Sequence, residues 1–319
     1  MSICSRAIDI GGNGVRRADV CGTEVRNIEK MHESAGGEKA IEELLRFAVA
    51  ELPGETRGIA YSVAGVIDGN DVVKESPNAH FLDGVSLAGQ TRAMAAKNKR
   101  QVVSAVFNDM EAAVTGMATL FPGQPYFMGI TWSSGIGLRI WKDGRILSVA
   151  EGGHMLLDPS PFAPVCGDGR RGHAEAIIGG DAVKRRIIAE TQTLGIALPG
   201  DIHPCAFLDH AYVNGTGKEK QWAEGLYNMV GYGMGIFLAN IQSLLNLPLI
   251  IWKGSFARGA FRKDGPNIEP VVRKAMQEIL IDPTWASEDH LDFQLITCEN
   301  NEDAFIGAAE ALNALQGGK

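Results

Sequence analysis

The sequence predicts an α/β protein built of two similar halves. Short apolar strands separated by glycine-containing turns open the chain, and an amphipathic helix follows them. A second group of strands begins after Pro122 and again has a turn between its first members. A length of 319 residues exceeds the usual size of a single core, which favours two domains. We place an N-terminal domain at residues 1–118 and a C-terminal domain at 119–302, with a last helix at 303–316 packing back on the first domain.

The first half alternates short apolar strands with two helices. Between residues 38 and 52, apolar side chains recur every three or four positions, and Pro53 and Gly54 end the pattern. Glycine-containing turns separate the first three strands, as a β-meander requires. The predicted strands are 6–10, 15–20, 24–28, 58–63 and 102–107, and the predicted helices are 38–52 and 110–120.

The second half repeats this order and then becomes mainly helical. Asn267 is the predicted N-cap of a helix that ends at residue 281, since Pro270 follows in its first turn. Two halves that each start with a strand meander indicate a weak internal repeat. The predicted strands are 126–131, 136–141, 146–149 and 250–252, and the other predicted helices are 174–192, 219–247 and 303–315.

Composition argues against several classes of function. The net charge of −8 disfavours nucleic-acid binding, because phosphate backbones are bound by basic surfaces. No apolar run is long enough to span a bilayer, and the N-terminus lacks the pattern of a signal peptide. The five cysteines are few, odd in number and scattered, so a disulfide framework is not expected. These observations predict a cytoplasmic protein without nucleic-acid or membrane partners.

Two turns of similar design indicate phosphoryl transfer. The first, Gly11-Gly12-Asn13-Gly14, and the second, Ser133-Ser134-Gly135, each connect two strands. Glycine lets backbone N–H groups approach an anion, and Asp9 before the first turn could hold Mg²⁺ against phosphates. Neither turn matches a P-loop or a dinucleotide fingerprint, because a strand rather than a helix follows the glycines. An ordinary hairpin is the alternative for the first turn alone, since Asn-Gly is a strong hairpin signal.

Four motifs in this order resemble those of the ROK family of sugar kinases and repressors. They are Asp9-Ile10-Gly11-Gly12, Asn108-Asp109, Gly135-Ile136-Gly137 and Glu151-Gly152-Gly153-His154, followed by Gly307-Ala308-Ala309 in the last helix. The Glu-x-Gly-His element is the most diagnostic of them. The resemblance spans nearly the whole chain and implies a two-domain actin/hexokinase-like (ribonuclease H-like) fold with a cleft between domains that close over ATP and a sugar.

For the reaction, the resemblance implies that Asp109 is the general base, which accepts the proton of the attacking sugar hydroxyl. Asp109 could alternatively be the N-cap of the helix that follows it. Glu151 could otherwise be a solvated surface charge in its glycine-rich loop. The sugar-binding residues implied by the resemblance are Gly65, Asn78, Asn108, Asp109, Glu151, His154 and Glu175.

The resemblance also implies ATP and Mg²⁺ on the two turns and on a third turn after the strand at 250–252. Some positions depart from the family pattern. Asn13-Gly14 stands where Thr-Lys is usual, and Arg16, two residues on along the strand, could supply the missing cation. Lys253 stands where the family has glycine, and could crowd the nucleotide or bind its phosphate. The implied residues are Asp9, Gly11, Gly12, Asn13, Ser133, Ser134, Gly135 and Gly254.

A structural zinc is usual in the family, bound by one histidine and three cysteines. Here the matching residues are His154, Cys166, Asp168 and His173, so two cysteines are replaced. All four residue types can bind Zn²⁺, and a rewired tetrahedral site is chemically possible. Aspartate is a poor substitute for a thiolate at a structural site, so zinc is doubtful here. The alternative is a loop held by hydrogen bonds or an Arg–Asp pair.

Two functions follow from these motifs. The first is an ATP- and Mg²⁺-dependent kinase acting on a hexose or hexose derivative, with Asp109 as base. The second is a catalytically weak or inactive sugar-binding protein of the same fold, because the departures concentrate on the ATP side. A DNA-binding repressor is disfavoured, since the first strand begins within the first ten residues and leaves no room for a helix-turn-helix. The resemblance also implies a homodimer.

Overall fold

The chain divides into two compact units. A computed structural model describes residues 4–11, 14–31, 37–148, 151–296 and 302–317. Unit 1 comprises Met1–Pro125, Gly144–Ile146 and Cys298–Lys319, and unit 2 comprises Tyr126–Asp143 and Leu147–Thr297. The domain boundaries that the sequence suggested, near residue 118 and at 302–303, stay a prediction.

Strands and helices follow one another through these ranges, and each predicted strand is present with bounds shifted by no more than two residues. The strands are β1 (Cys4–Gly11), β2 (Gly14–Cys21), β3 (Glu24–Lys30), β4 (Thr56–Val63), β5 (Val66–Asp68), β6 (Val72–Glu75), β7 (Val85–Ser86), β8 (Val103–Asn108), β9 (Tyr126–Trp132), β10 (Ile136–Lys142), β11 (Arg145–Ser148), β12 (Leu249–Lys253) and β13 (Asp292–Leu295). The helices are α1 (Glu38–Val49), α2 (Leu87–Lys97), α3 (Asp109–Leu120), α4 (Ala174–Ile178), α5 (Gly180–Leu194), α6 (Pro204–Asn214), α7 (Gly217–Leu245), α8 (Ser255–Ala260), α9 (Glu269–Ile279) and α10 (Glu302–Gly317).

Each unit contains a five-stranded sheet with the same topology. The strand order is β3-β2-β1-β4-β8 in unit 1 and β11-β10-β9-β12-β13 in unit 2. In each sheet the first two strands pair antiparallel, and the last two strands are added in parallel. The shared plan confirms the internal repeat and the α/β class predicted from the sequence. A smaller sheet, β5-β6-β7, was not predicted.

Helices cover both faces of the unit 1 sheet. Successive side chains of a strand point to opposite faces, and here the side chains on the two faces differ in size. One face bears large side chains such as Ile8 and Tyr61, which pack with α1 and α2. The other face bears Ala7, Ala60 and Ala105, which are neighbours across β1, β4 and β8. These small side chains let α3 and α10 approach the sheet closely.

Helices α3 and α10 meet at two glycines. A Cβ atom on Gly307 would lie 1.6 Å from the carbonyl oxygen of Ala112, and one on Gly116 would lie 1.9 Å from that of Asp303. Both distances are far shorter than van der Waals contact, so these positions accept no larger residue without a shift of one helix. The contact holds α3, which begins at Asp109, against α10.

Two buried arginines of the β1–β2 hairpin bind the C-terminal end of α1. Arg6 donates to the carbonyl oxygens of Ala48 and Ala50, and Arg17 donates to those of Phe47 and Ala50. The last carbonyls of a helix lack partners within the helix and carry partial negative charge. The two guanidinium groups therefore fix α1 to the sheet.

A disulfide between Cys4 and Cys21 closes the open end of the same hairpin. The two residues are partners in the antiparallel register of β1 and β2. No disulfide framework was expected from the sequence, and this single bond was not foreseen. Seventeen positions separate them in the sequence, and only the hairpin makes them neighbours. Cys166 and Cys205 are free thiols.

Unit 2 has a large aromatic and aliphatic core around β9 and α7. Trp132 is fully buried and lies 4.8 Å, centroid to centroid, from Phe256 of α8. Helix α7 buries Trp222 and Phe237 in the same core. Among the residues that the structure describes, no helix is both long and apolar enough to cross a bilayer.

Several helix predictions need correction. The predicted helix 174–192 is divided at Gly179, whose backbone is extended with ψ of 152°. Helix α1 ends at Val49, because Ala50 is extended. Asn267 is not an N-cap: its φ is 37°, and α9 begins after Ile268. Helices α2, α6 and α8 were not predicted.

Replacing Gly307 with alanine should destabilise unit 1, because the added methyl group would overlap the Ala112 carbonyl. We expect the free energy of unfolding to fall by about 1–3 kcal/mol. Gly225→Ala is a matched control, since Gly225 is an exposed glycine of α7 with no atom within 4 Å of the new methyl group. That change should raise stability by up to about 1 kcal/mol. Chemical denaturation monitored by circular dichroism compares the two, and equal effects would contradict the close contact.

Reduction of the denatured protein should release two additional titratable thiols, from Cys4 and Cys21. Replacing both residues with serine should lower the free energy of unfolding by about 3 kcal/mol, because a bond across a sequence separation of 17 restricts the unfolded chain. In a Cys205→Ser control, reduction should still release two thiols. An unchanged thiol count on reduction would contradict the disulfide.

Candidate functional site

In unit 1, the predicted residues collect at the carboxyl ends of parallel strands. Asp9 of β1 is the register partner of Ser62 in β4, and Asn108 ends β8 beside Val63 of β4. Gly65 follows β4 by two residues. Carboxyl ends of parallel strands meet at one edge of a sheet, which is where α/β proteins bind ligands.

Asn108 connects this edge to helix α3. Its side-chain oxygen accepts hydrogen bonds from the backbone N–H groups of Met110 (3.0 Å) and Glu111 (3.3 Å), and its amide donates to the carbonyl of Gly65 (3.0 Å). Asn108 is therefore the N-cap of α3. Asp109 is the first helical residue and is half-buried. The alternative in which Asp109 itself caps the helix is wrong.

The segment after β6 packs against Gly65. A Cβ atom on Gly65 would lie 2.2 Å from the carbonyl oxygen of Glu75, so the close approach requires glycine. The Ser76 hydroxyl donates to the carbonyl of Ala64 at 2.8 Å. Asn78, two residues further on, is exposed. The predicted sugar-binding residues Gly65, Asn78 and Asn108 thus belong to one connected group of loops.

The first turn is flanked by an ion pair. Arg16 donates from a terminal guanidinium nitrogen to Oδ2 of Asp9 at 2.9 Å, and the Ser62 hydroxyl donates to Oδ1 at 3.1 Å. Gly11 ends β1 opposite Gly14. Gly12 and Asn13, which the sequence assigned to phosphate binding, lie outside the described residues. The ion pair itself was not foreseen, although Arg16 was noted as a cation.

In unit 2, the second turn packs against the start of α5. The carbonyl oxygens of Ser133 and Ser134 accept hydrogen bonds from the N–H groups of Gly180 (2.9 Å) and Asp181 (2.8 Å). A Cβ atom on Gly180 would lie 2.0 Å from the Ser133 carbonyl oxygen. The pair of glycines between α4 and α5 thus permits this contact, which explains the break in the predicted helix.

Glu175 of α4 contacts the same turn. One carboxylate oxygen, Oε2, accepts a hydrogen bond from the backbone N–H of Ile136 at 3.0 Å. A Cβ atom on Gly135 would lie 2.2 Å from this oxygen, and one on Gly153 would lie 3.4 Å from it. Glu175, which the sequence assigned to the sugar, therefore also supports the predicted phosphate turn.

Gly254 lies against the end of β9. Its φ is 113°, and a Cβ atom there would lie 2.3 Å from the carbonyl oxygen of Trp132. Lys253 is half-buried and is the register partner of Thr131. The third predicted turn is thus adjacent to the second within unit 2.

Glu151 pairs with a buried arginine that the sequence analysis missed. Arg139 of β10 is 4% exposed, and one of its terminal nitrogens lies 3.4 Å from Oε1 of Glu151. Arginine is rarely buried without a partner. The sequence does place Arg139 between the apolar residues Leu138 and Ile140 of a predicted strand, and this position could have indicated a buried arginine that needs an acidic partner. Glu151 is exposed, but its ion pair distinguishes it from a merely solvated charge.

The four candidate metal ligands converge on one point. His154 Nδ1 lies 3.2 Å from His173 Nδ1 and 3.7 Å from Cys166 Sγ, and Asp168 Oδ2 lies 3.4 Å from each histidine nitrogen. All four donor atoms are within 4.8 Å of one another. Zinc bond lengths of about 2.0–2.3 Å imply tetrahedral edges of about 3.3–3.6 Å. The donor set and its spacing fit a tetrahedral zinc ion.

The charges of this cluster suit a cation. The hydrogen bond from the backbone N–H of Arg170 lowers the pKa of Asp168, and the nearby His173 and His154 lower it further. Burial raises the pKa of the Cys166 thiol. In the absence of a metal ion, the cluster is an aspartate between two histidines with a neutral thiol beside them.

Comparison with known proteins identifies related sequences. The model of the ROK family matches residues 5–313. The chain is 32% identical over 193 residues to a glucokinase of Aeropyrum pernix, a match that covers 56% of this chain and 58% of that protein. It is 29% identical over 190 residues to an N-acetylmannosamine kinase of Haemophilus influenzae, covering 56% and 60%. The chain thus spans less than two thirds of the length of these curated relatives.

The fold also has solved counterparts. A ROK family glucokinase from Streptomyces griseus, solved in complex with glucose and AMPPNP, superimposes with a TM-score of 0.72 at 19% identity. The match covers 98% of this chain and 99% of that one. At this level of identity the likeness shows the fold alone.

Proposed function

This chain belongs to the ROK family and has its two-domain actin/hexokinase-like α/β fold, and we propose that it transfers the γ-phosphate of ATP to a hydroxyl of a hexose or hexose derivative. The observation on which the proposal rests is the half-buried carboxylate of Asp109 at the start of α3, where Asn108 takes the capping role. The names of the relatives, glucokinase and N-acetylmannosamine kinase, support the substrate class.

In the proposed reaction, Asp109 accepts the proton of the attacking sugar hydroxyl. Phosphoryl transfer needs positioning and charge stabilisation more than covalent chemistry, so a single well-placed base is sufficient. Asp109 is the first residue of α3, and the first turn of a helix stabilises negative charge. The Asn108 contacts with α3 and with Gly65 hold Asp109 in place.

Sugar recognition is proposed for the loop residues around Asp109 and for a second group in unit 2. A hexose presents a ring of hydroxyl groups, which carboxylates, amides and imidazoles can bind with several hydrogen bonds. Glu175 already binds the turn through Oε2, so the proposed sugar contact uses its other oxygen. The residues concerned are Gly65, Asn78, Asn108, Asp109, Glu151, His154 and Glu175.

ATP is proposed to bind on the three turns, with Asp9 holding Mg²⁺. Carboxylate oxygens are ligands that Mg²⁺ accepts, and Asp9 is buried at the carboxyl end of β1, so the residue type and position fit. When bound, Mg²⁺ neutralises charge on the phosphate oxygens. The proposed phosphate and nucleoside contacts are Gly11, Gly12, Asn13, Ser133, Ser134, Gly135 and Gly254.

A second function is a sugar-binding protein with weak or no catalysis. The observation that favours it is the ion pair between Asp9 and Arg16, which occupies the carboxylate assigned to Mg²⁺. Asn13-Gly14 of the first turn and Lys253 of the third also depart from the family pattern. Both functions share the sugar pocket and differ in nucleotide turnover.

We also propose that His154, Cys166, Asp168 and His173 bind a structural zinc ion. The replaced cysteines made zinc doubtful from the sequence, but four of the six distances between donor atoms, 3.2–3.7 Å, are close to the edges of a zinc tetrahedron. Three of these residues follow the Glu-x-Gly-His element, and a metal ion would tie them to His154 beside the proposed sugar contact Glu151. Zinc would therefore order the sugar-binding loop without taking part in the reaction.

We also propose a homodimer, as the resemblance implies, and a cytoplasmic location without nucleic-acid or membrane partners, as the composition predicts. The acidic net charge of −8 supports the absence of a nucleic-acid partner. The small number of cysteines supports a reducing compartment, whereas the Cys4–Cys21 bond is of a kind more frequent in oxidising ones.

Asp109→Asn should lower kcat of sugar-dependent ATP consumption by at least about 100-fold, because the amide cannot accept the hydroxyl proton. Sugar binding by calorimetry should persist, since the amide retains the size and hydrogen-bonding capacity of the side chain. Coupled assays over a panel of hexoses and N-acetylhexosamines provide the measurement.

Asp201→Asn is the matched control, because Asp201 is an exposed aspartate in the loop before α6, and its kcat should be unchanged. Wild-type protein that binds a sugar but turns over no ATP would sink the kinase proposal and support the second function.

Purified protein is expected to contain about one zinc ion per chain by elemental analysis. Asp168→Ala and His173→Ala should each reduce the zinc content and lower Tm, and a chelator should lower Tm of the wild type but not of these variants. His210→Ala, an exposed histidine of α6, is the control and should retain the metal. An identical Tm with and without chelator in metal-containing wild-type protein would count against a structural role.

A further inference from the structure

The pair formed by Asp9 and Arg16 spans the β1–β2 hairpin next to its turn. The two residues are register partners in the antiparallel pair. The carboxylate is 10% exposed and the guanidinium 20% exposed, so the charges meet where water screens them little. Ser62 donates to the second oxygen of Asp9. The carboxylate is thus already oriented before any ligand binds.

Arg16 differs from the other arginines of this hairpin in how it uses its donors. Arg6 and Arg17 each bind carbonyl oxygens at the end of α1 as well as a carboxylate. Arg16 bonds to the Asp9 carboxylate from one nitrogen and, among the described residues, to no carbonyl oxygen; its Nε, like that of Arg17, is buried without a hydrogen-bond partner. A guanidinium has five N–H donors. Arg16 therefore holds donor capacity that the fold does not use.

The N–H donors of Arg16 lie close to the first turn. Gly14, where the described part of the turn resumes, lies two strand residues from Arg16, or about 7 Å along β2. Arginine binds phosphate with two parallel hydrogen bonds, and such charge-assisted bonds are strong. The lysine that the family places at position 14 is missing from this chain. Arg16 is the cation next to the turn on β2, and Lys30 of β3 also approaches the turn, with its Cε 3.4 Å from a Cβ built on Gly14.

We propose that Arg16 is an exchangeable cation that holds Asp9 while the site is empty and moves to the polyphosphate when the metal–nucleotide complex binds. This inference rests on the proposed function. Oδ2 of Asp9 can serve Arg16 or a metal ion, and the phosphates offer the guanidinium a new anion at the same time. The exchange conserves charge pairing, because each cation and anion has a partner before and after it.

Two consequences follow for binding. ADP without Mg²⁺ should bind much more weakly than the Mg²⁺ complex, because nothing then replaces Arg16 at Asp9. Removal of the guanidinium should weaken the Mg²⁺ complex by roughly tenfold or more, the loss expected for a charge-assisted hydrogen bond. Lysine at position 16 keeps the charge but not the planar fork, so its effect should be intermediate.

The test is isothermal titration calorimetry of the full chain with ADP, with and without Mg²⁺, for wild type, Arg16→Met and Arg16→Lys. Arg26→Met is the control, because Arg26 lies on neighbouring β3 and forms an exposed pair with Glu24. We expect Kd of Mg²⁺–ADP to rise at least tenfold in Arg16→Met, less in Arg16→Lys, and not at all in Arg26→Met. Sugar affinity, measured in parallel, should stay constant in all variants.

Unchanged or tighter binding of Mg²⁺–ADP to Arg16→Met, with wild-type binding intact, would overturn this inference alone. Wild-type protein that binds a hexose but no Mg²⁺–ADP would overturn both this inference and the kinase proposal. A loss of far-ultraviolet circular dichroism would show that Arg16→Met does not fold. The Arg16→Lys variant then provides the test, and an affinity for Mg²⁺–ADP equal to that of the wild type would count against the exchange.

Discussion

Parallel strand pairing is the constraint on which the arrangement of this protein depends. In unit 1, β4 pairs with β1 and β8 pairs with β4, so Asp9, Gly65 and Asn108 reach the same edge of the sheet. In unit 2, the pairing of β12 with β9 brings Gly254 against Trp132 and the serine turn. A slip of one residue in either register would turn buried side chains to the opposite face. The hydrophobic cores thereby fix the positions of the polar groups.

Charged groups near these edges are paired within their own unit. Asp9 binds Arg16, Glu151 binds Arg139, and the Glu175 carboxylate accepts a backbone N–H. A charge in a partly buried position is costly without such a partner. The cost of partly burying these groups is therefore offset by partners within the protein itself.

The sequence was sufficient for nine of the thirteen strands that the structure describes and for the order of the motifs; β5, β6, β7 and β13 were not predicted. Strands of the main sheets alternate or run apolar over short lengths between glycine turns, and this pattern is local. The Asn-Asp pair could be read as a functional motif, but which residue caps α3 depends on backbone geometry, and Asn108 proved to be the N-cap. The four candidate metal ligands illustrate the opposite difficulty, because residue identity made a zinc site doubtful while the folded loop brings the donor atoms together.

Other features depend on tertiary contacts that a single sequence does not display. Gly179 divides a helix because of the neighbouring turn, and Asn267 is left-handed instead of capping α9. To predict the buried Arg139 and the Asp9–Arg16 pair, one must know which side chains of each strand point into the core and which strands are paired. Short strands such as β5 and β7 lack a periodic pattern long enough to recognise.

The contact between α3 and α10 has a consequence for biosynthesis. Unit 1 begins the chain, yet α10 is translated only after all of unit 2. Until then, the alanine face of the first sheet and the inner side of α3 lack their cover. Because domains tend to fold as their residues leave the ribosome, unit 2 can complete its core first. The core of unit 1, which bears Asp109, therefore cannot be completed until α10 has been synthesised.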